Sequence, residues 1–188
     1  MKTPTHFLIG QGCAAAFGWD GALRRACVIG AVVPDVPVIA IWSVIAARVT
    51  WQNGGYVQSQ VQAGMDALYF SHPLVIGLHN LLHSPLSLLG LVALALLAFC
   101  RSPVCRRLCL AFLGGAMTHA LVDIASHVTD GPLLFWPLNE SLRVAGPVSH
   151  WDPAFGGHWV TAVELSLAAA FGLYAVALRW RRSAALAG

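Results

Sequence analysis

Charge is what this chain has least of. Asp, Glu, Lys and Arg together make up 10% of its 188 residues, against roughly 25% in soluble domains. That shortfall, with 57% hydrophobic residues and a mean hydropathy of +0.69, excludes an ordinary water-soluble domain and reads as an integral membrane protein. Paired cysteines are also missing. The five cysteines (Cys13, Cys27, Cys100, Cys105 and Cys109) are odd in number and form no CxxC pair, so neither a disulfide framework nor a Cys-based zinc site is indicated. No GxSxG elbow occurs, and Ser84 adjoins His83 at i, i+1, a spacing that does not face itself on a helix; both argue against a serine nucleophile. Internal repeats and low-complexity tracts are absent. The N-terminus is a poor signal peptide, since only Lys2 precedes a short apolar run that already contains His6; it is expected to stay on the protein. The net charge of +3 comes from arginines at segment ends, a topology signal that gives no reason to expect nucleic acid as a partner.

What is there is organised around Gly114 to Leu138, GGAMTHALVDIASHVTDGPLLFWPL. His119, Asp123 and His127 fall at i, i+4 and i+8 of an apolar segment, which at ~100° per residue stacks them on one helix face. The segment breaks at Asp130-Gly131-Pro132, where proline cannot continue a helix. Ionisable groups in an apolar helix are costly and persist where they pair, ligate or line a wet cavity.

The rest of the chain supplies similar groups. His6 opens a first apolar segment that ends at Arg24-Arg25. Pro34-Asp35-Val36-Pro37 interrupts the next, implying a broken helix with a buried acid at the break. Residues 51–64 are the most polar stretch, and Gly54-Gly55 marks them as a loop outside the hydrocarbon. The run from Ser71 to Cys100 carries His79 and His83 before a clear spanning half. Residues 139–157 read as an ordered loop, and a last span from about Trp159 to Trp180 contains Glu164. The fold class is therefore all-α: one domain over residues 1–188, a polytopic bundle of about four to six membrane-embedded helices at about 20 residues per crossing, with one helix broken at Pro34–Pro37.

Short Arg-rich loops stay cytoplasmic, which places Arg24-Arg25, Arg101 to Arg107 and Arg179 to Arg182 on that side. Counted at 1.5 Å per residue from these clusters, His6, His83, His119, Asp123 and Glu164 lie at ~27, ~26, ~18, ~24 and ~22 Å. All five fall in the outer half, which predicts a polar pocket opening toward the non-cytoplasmic face.

The residue types in that layer suit a metal. His79 and His83 show the helical two-histidine spacing of metal sites, but the same spacing serves an interhelical hydrogen bond equally well. His119 with Asp123 suits zinc, manganese or iron; a His–Asp bond locking two helices is the plain alternative. Asp35 alone could cap its broken helix, and Glu164 alone could be a relay or substrate acid. Jointly the set outnumbers the ligands of one ion, so one to three divalent ions are expected. Arg143 either binds an anionic group or pairs with Asp152. His72 reads as structural, and His150 and His158 as loop residues or outer ligands.

Several of these motifs resemble a known family. Thr5-His6, VVPDVP around Asp35, HNLLHS from His79 to Ser84, and THALVD followed by DGPLLFWPL are similar to the bacterial membrane-bound, metal-dependent hydrolases described as LexA-regulated inner-membrane proteins. A second aspartate after Asp35 and an arginine after His79 belong to that pattern and are absent here. DIASHVTDGPLLFWPL with GPVSHWDP resembles a subgroup with an extended motif, implying roles for His127 and Asp130. A more distant likeness is to zinc-dependent phospholipases C, which have an HxxxD pair on a helix. The resemblance implies hydrolysis of an ester or phosphoester of a membrane lipid or lipid-linked molecule, with zinc as the first candidate metal. His6, Asp35, His79, His83, His119, Asp123 and His127 are the expected ligands, with Glu164 and Asp130 in catalytic roles. Two other classes compete: a non-catalytic protein whose His–carboxylate network holds helices for envelope assembly or a partner, and an ion or proton carrier.

Overall fold

Proline at the first turn starts several helices of this chain, because its missing N–H costs nothing there and its φ is already helical. The computed structural model describes residues 2–187; the side chains of Ala175, Leu178, Arg179 and residues 181–187 lie outside that description, and with them the third arginine cluster. Helices α1 (Thr3–Ala16), α3 (Val36–Asn53), α5 (Pro73–His83), α6 (Pro85–Ala98) and α7 (Pro103–Ser126) all begin this way. The remaining helices are α2 (Gly21–Val32), α4 (Gln58–Ser71) and α8 (Gly157–Ala187). Among the described residues there is no strand. The bundle is all-α, as expected.

Among the described residues two helical runs are long and apolar enough to cross a membrane, Gly21–Asn53 and Pro103–Ser126, and a bent pair, α5 with α6, would make a third. The expected interruption at Pro34 is present as a short 3-10 turn at Val33–Asp35, yet the run from Gly21 to Asn53 continues past it. The sharper bend, 66°, falls between α5 and α6. Its cause is Pro85, which disfavours helical ψ at the preceding residue; Ser84 accordingly sits at ψ 123° and begins the next helix as its cap. The polar stretch expected as a loop is largely helical: α3 ends at Gly54, whose φ is +67°, and α4 resumes at Gln58.

The most extensive helix contact is between α2 and α7. Small residues permit it, as expected where lipid supplies no hydrophobic drive and close packing must hold helices together. Ala14, Cys27 and Ala111 join α1, α2 and α7, while Leu88, Ala95, Leu113, Ala116 and Ala120 join α6 to α7. A second small cluster, Ala46, Val49 and Val61, joins α3 to α4.

One local expectation fails. Helix α7 ends at Ser126, so His127, at φ −128° and ψ 126°, stands just outside it, and the one-face stacking stops at Asp123. The loop that follows takes over the terminal carbonyls that a helix leaves without partners: His150 N donates to Ser126 O at 3.0 Å and Gly146 N to His127 O at 2.7 Å.

Candidate metal centre

Three elements meet at one point: the 3-10 turn brings Asp35, α5 brings His83, and α7 brings His119 and Asp123 one turn apart. Ligand atoms of these four residues all lie within 4.8 Å of one another. His119 Nε2 is 3.0 Å from His83 Nε2, 3.1 Å from Asp123 Oδ2 and 3.4 Å from Asp35 Oδ1. His83 Nε2 is 3.6 Å from Asp123 Oδ2. His83, His119 and Asp123 are buried, His119 completely, and Asp35 is partly buried.

The tautomers follow from the other ring nitrogens. His119 Nδ1 lies 2.8 Å from Ala31 O, and His83 Nδ1 lies 2.8 Å from His79 O. A carbonyl only accepts, so each Nδ1 carries the hydrogen, and in the neutral rings each Nε2 presents a lone pair. Backbone carbonyls on the far nitrogen are the usual orienting partners of metal-bound histidine. Two facing lone pairs and two carboxylates repel one another unless positive charge sits among them. One proton on His119 would serve part of the set; a divalent cation serves all four. The donor set, two imidazole nitrogens and two carboxylates, fits zinc or a similar ion.

His6 is completely buried; its ring stacks on His119 at 3.6 Å between centroids, and its Nε2 is 3.1 Å from Asp123 Oδ1 without hydrogen-bond alignment. It forms the wall behind the group. Thr3 Oγ1 donates to Asp35 Oδ2 at 2.5 Å, fixing that carboxylate from α1.

Other candidate residues are placed differently. His79 stacks on His83 at 3.9 Å, but its Nε2 is 2.8 Å from Tyr69 Oη. His127 Nδ1 bonds Asp123 O at 2.9 Å, and its ring lies 4.5 Å from that of His150. Asp130 Oδ2 accepts from Trp151 Nε1 at 2.9 Å. Glu164 is buried on α8 and turned to Lys2, whose main-chain N donates at 2.8 Å and whose Nζ is 3.3 Å away. It is therefore held by the first helical turn and does not join the four-residue group. Arg143 bonds Gly131 O and lies over the Tyr69 and Phe70 rings, whereas Asp152 caps the turn at Ala154. His72 and His158 are exposed.

A cavity of about 240 Å³ leads to the group. Asp35, His83 and Asp123 lie in its wall with His79, His127, Asp130 and His150, and Trp42, Gln62, Asp66, Tyr69 and Trp151 are among the other residues that line it. Burial pushes the Tyr69 hydroxyl above its ordinary pKa, keeping it a donor, and pushes His150 down to about 4, keeping that ring neutral. The α4 contribution was missed in the sequence. Gln62, Asp66 and Tyr69 recur at i, i+4 and i+7, a one-face stripe that could have revealed it.

These features define a membrane-embedded helical protein with a buried His/Asp group able to hold a metal ion. The chain belongs to the YdjM inner membrane protein family, whose family model matches residues 1–187. No curated protein and no solved structure matches it.

Proposed function

We propose that this chain is a metal-dependent hydrolase of the bacterial inner membrane, cleaving an ester or phosphoester of a lipid or lipid-linked molecule, with zinc held by Asp35, His83, His119 and Asp123. The observation that carries this reading is the 3.0 Å approach of the His83 and His119 Nε2 atoms between two carboxylates. When bound, a divalent ion brings the pKa of water toward neutrality and stabilises developing negative charge. The chain's own residues do the rest. Ala31 O and His79 O orient the two rings, Thr3 holds Asp35, and Trp42 and Trp151 line the cavity beside the group. The site is proposed to open to the non-cytoplasmic face.

A non-catalytic reading draws on the same bonds, because His119 Nδ1 reaches Ala31 O on α2 and so also ties two helices. Metal quantitation with a phosphoester panel on wild type and His119→Ala separates the two. The hydrolase reading expects about one or more ions per chain and turnover in wild type, both lost in the variant. Metal without turnover on any ester would support the structural role, and no metal in wild type would overturn both.

A further inference from the structure

The outer part of the cavity is built from acceptors. Tyr69 Oη gives its single hydrogen to Asp130 O at 2.8 Å, so its 2.8 Å contact with His79 must be a bond donated by His79 Nε2. That leaves His79 Nδ1 as a lone pair, in a side chain more than nine-tenths buried, in the cavity wall and without a partner. His127 and His150 each direct Nδ1 to a main-chain carbonyl, Asp123 O and Ser126 O, so in their neutral rings Nε2 accepts. Asp130 Oδ2 is taken by Trp151, and Asp130 Oδ1 is buried without a donor. A buried carboxylate oxygen with no donor is costly.

Charge points the same way. The wall holds four carboxylates (Asp35, Asp66, Asp123 and Asp130) with no lysine or arginine in it, and the Arg143 guanidinium stands behind Tyr69, over its ring. One divalent ion at the inner group together with that guanidinium would leave one negative charge, which favours a substrate that carries a positive charge of its own.

A second metal ion and an organic ammonium both answer this description, and spacing separates them. Ligands about 2.1 Å from one ion lie no more than about 4.2 Å apart. Acceptors about 2.9 Å from an ammonium nitrogen can stand up to about 5.8 Å apart. Among the described residues the inner four are the one group of His, Cys, Asp or Glu side chains close enough together to hold a metal ion. Trp42 and Trp151 in the same wall add indole rings, the best neutral partners for such a cation.

We propose that the outer cavity is a subsite for a primary ammonium group, taken by His79, His127, His150 and Asp130, and that the substrate is an amine-bearing phosphoester of the ethanolamine type. This rests on the hydrolase reading for the phosphoester; the ammonium subsite itself is a binding property and is tested as one.

The test is equilibrium binding, by tryptophan fluorescence, to the purified zinc-loaded chain, of glycerophosphoethanolamine against glycerophosphoglycerol, which has the same phosphodiester and no amine. Wild type is expected to bind the amine about tenfold or more tightly, the scale of a charged hydrogen bond. Asp130→Asn, which keeps a carbonyl for Trp151 but removes the charge, is expected to abolish that preference. Equal binding of the two diesters by wild type overturns the subsite whatever the variant does, as does a preference that survives in a metal-retaining Asp130→Asn chain. If neither diester binds, the subsite also falls. The hydrolase reading is judged separately, by metal content and turnover of the amine-free diester. Turnover without amine preference sinks only the subsite; amine preference without turnover of either diester sinks only the hydrolase.

Discussion

Gly115 on α7 lies so close to Cys27 on α2 that a Cβ at residue 115 would stand 2.0 Å from the Cys27 carbonyl oxygen. Gly30 makes the reciprocal approach, with a Cβ there falling 1.9 Å from Phe112 O. Main-chain atoms are the obstacles in both cases, so the helices must separate to admit a methyl group. The same approach brings Ala31 O within 2.8 Å of His119 Nδ1. Gly115→Ala is therefore expected to lower folded yield and metal content together, measured by monodispersity in detergent and metal quantitation. A variant with normal content of both would contradict the tight α2–α7 contact.

Residues of the inner group and residues outside it should part company. Asp123→Asn is expected to lose most of the bound ion, because Asp123 approaches both His83 and His119. Glu164→Gln, whose partner is Lys2, is expected to keep it and to cost about 1 kcal/mol of stability. Metal analysis of the two purified variants checks the contrast.

Chelation should destabilise the whole bundle. With the cation removed, two carboxylates and two imidazole lone pairs are left facing each other in a buried space, and a ligand that binds only the folded state stabilises it by mass action. Thermal unfolding with and without chelator is expected to show a lower Tm without metal, restored by added zinc. His119→Ala should show no chelator effect.

Asn80 joins α5 to the segment that follows α7. Its Nδ2 donates to Ile76 O at 2.8 Å, and its Oδ1 accepts from Leu133 N at 2.8 Å in a buried setting. Asn80→Ala leaves that N–H without its partner and is expected to cost about 1–3 kcal/mol. Limited proteolysis should cut first within residues 131–145.

Leu88 is fully buried where α6 packs on α7. Leu88→Ala is expected to cost about 2–5 kcal/mol, the range for cavity-forming substitutions, with metal content retained in the folded fraction. Denaturation in detergent checks the first and metal quantitation the second.

The meeting of His6, His83, His119 and Asp123 was legible in the sequence, because helical rise counted from the arginine clusters brings them to one layer. Azimuth was not. His79 and His83 share a spacing and both are buried, yet one faces Tyr69 and the other His119, a difference set by how α5 packs on α4 and α7. Glu164 was expected in the same layer, but α8 presents it to Lys2. His127 was read as helical because the proline that stops helices lies at residue 132, whereas the loop's amides end α7 earlier by taking its last carbonyls. Asp35 was legible as an acid at an interrupted helix, although it is partly and not fully buried; that Thr3 holds it required knowing that α1 returns beside α2.

The corner between α5 and α6 has a mechanical consequence. Ser84 Oγ lies 3.0 Å from Leu134 O and 3.1 Å from Trp136 O, and Leu86 N donates to Leu134 O at 3.3 Å. The strip running on from Asp130 is thus stitched to the elbow itself, so that if α6 tilts to suit a thinner or thicker bilayer, one rim of the cavity is carried along with it.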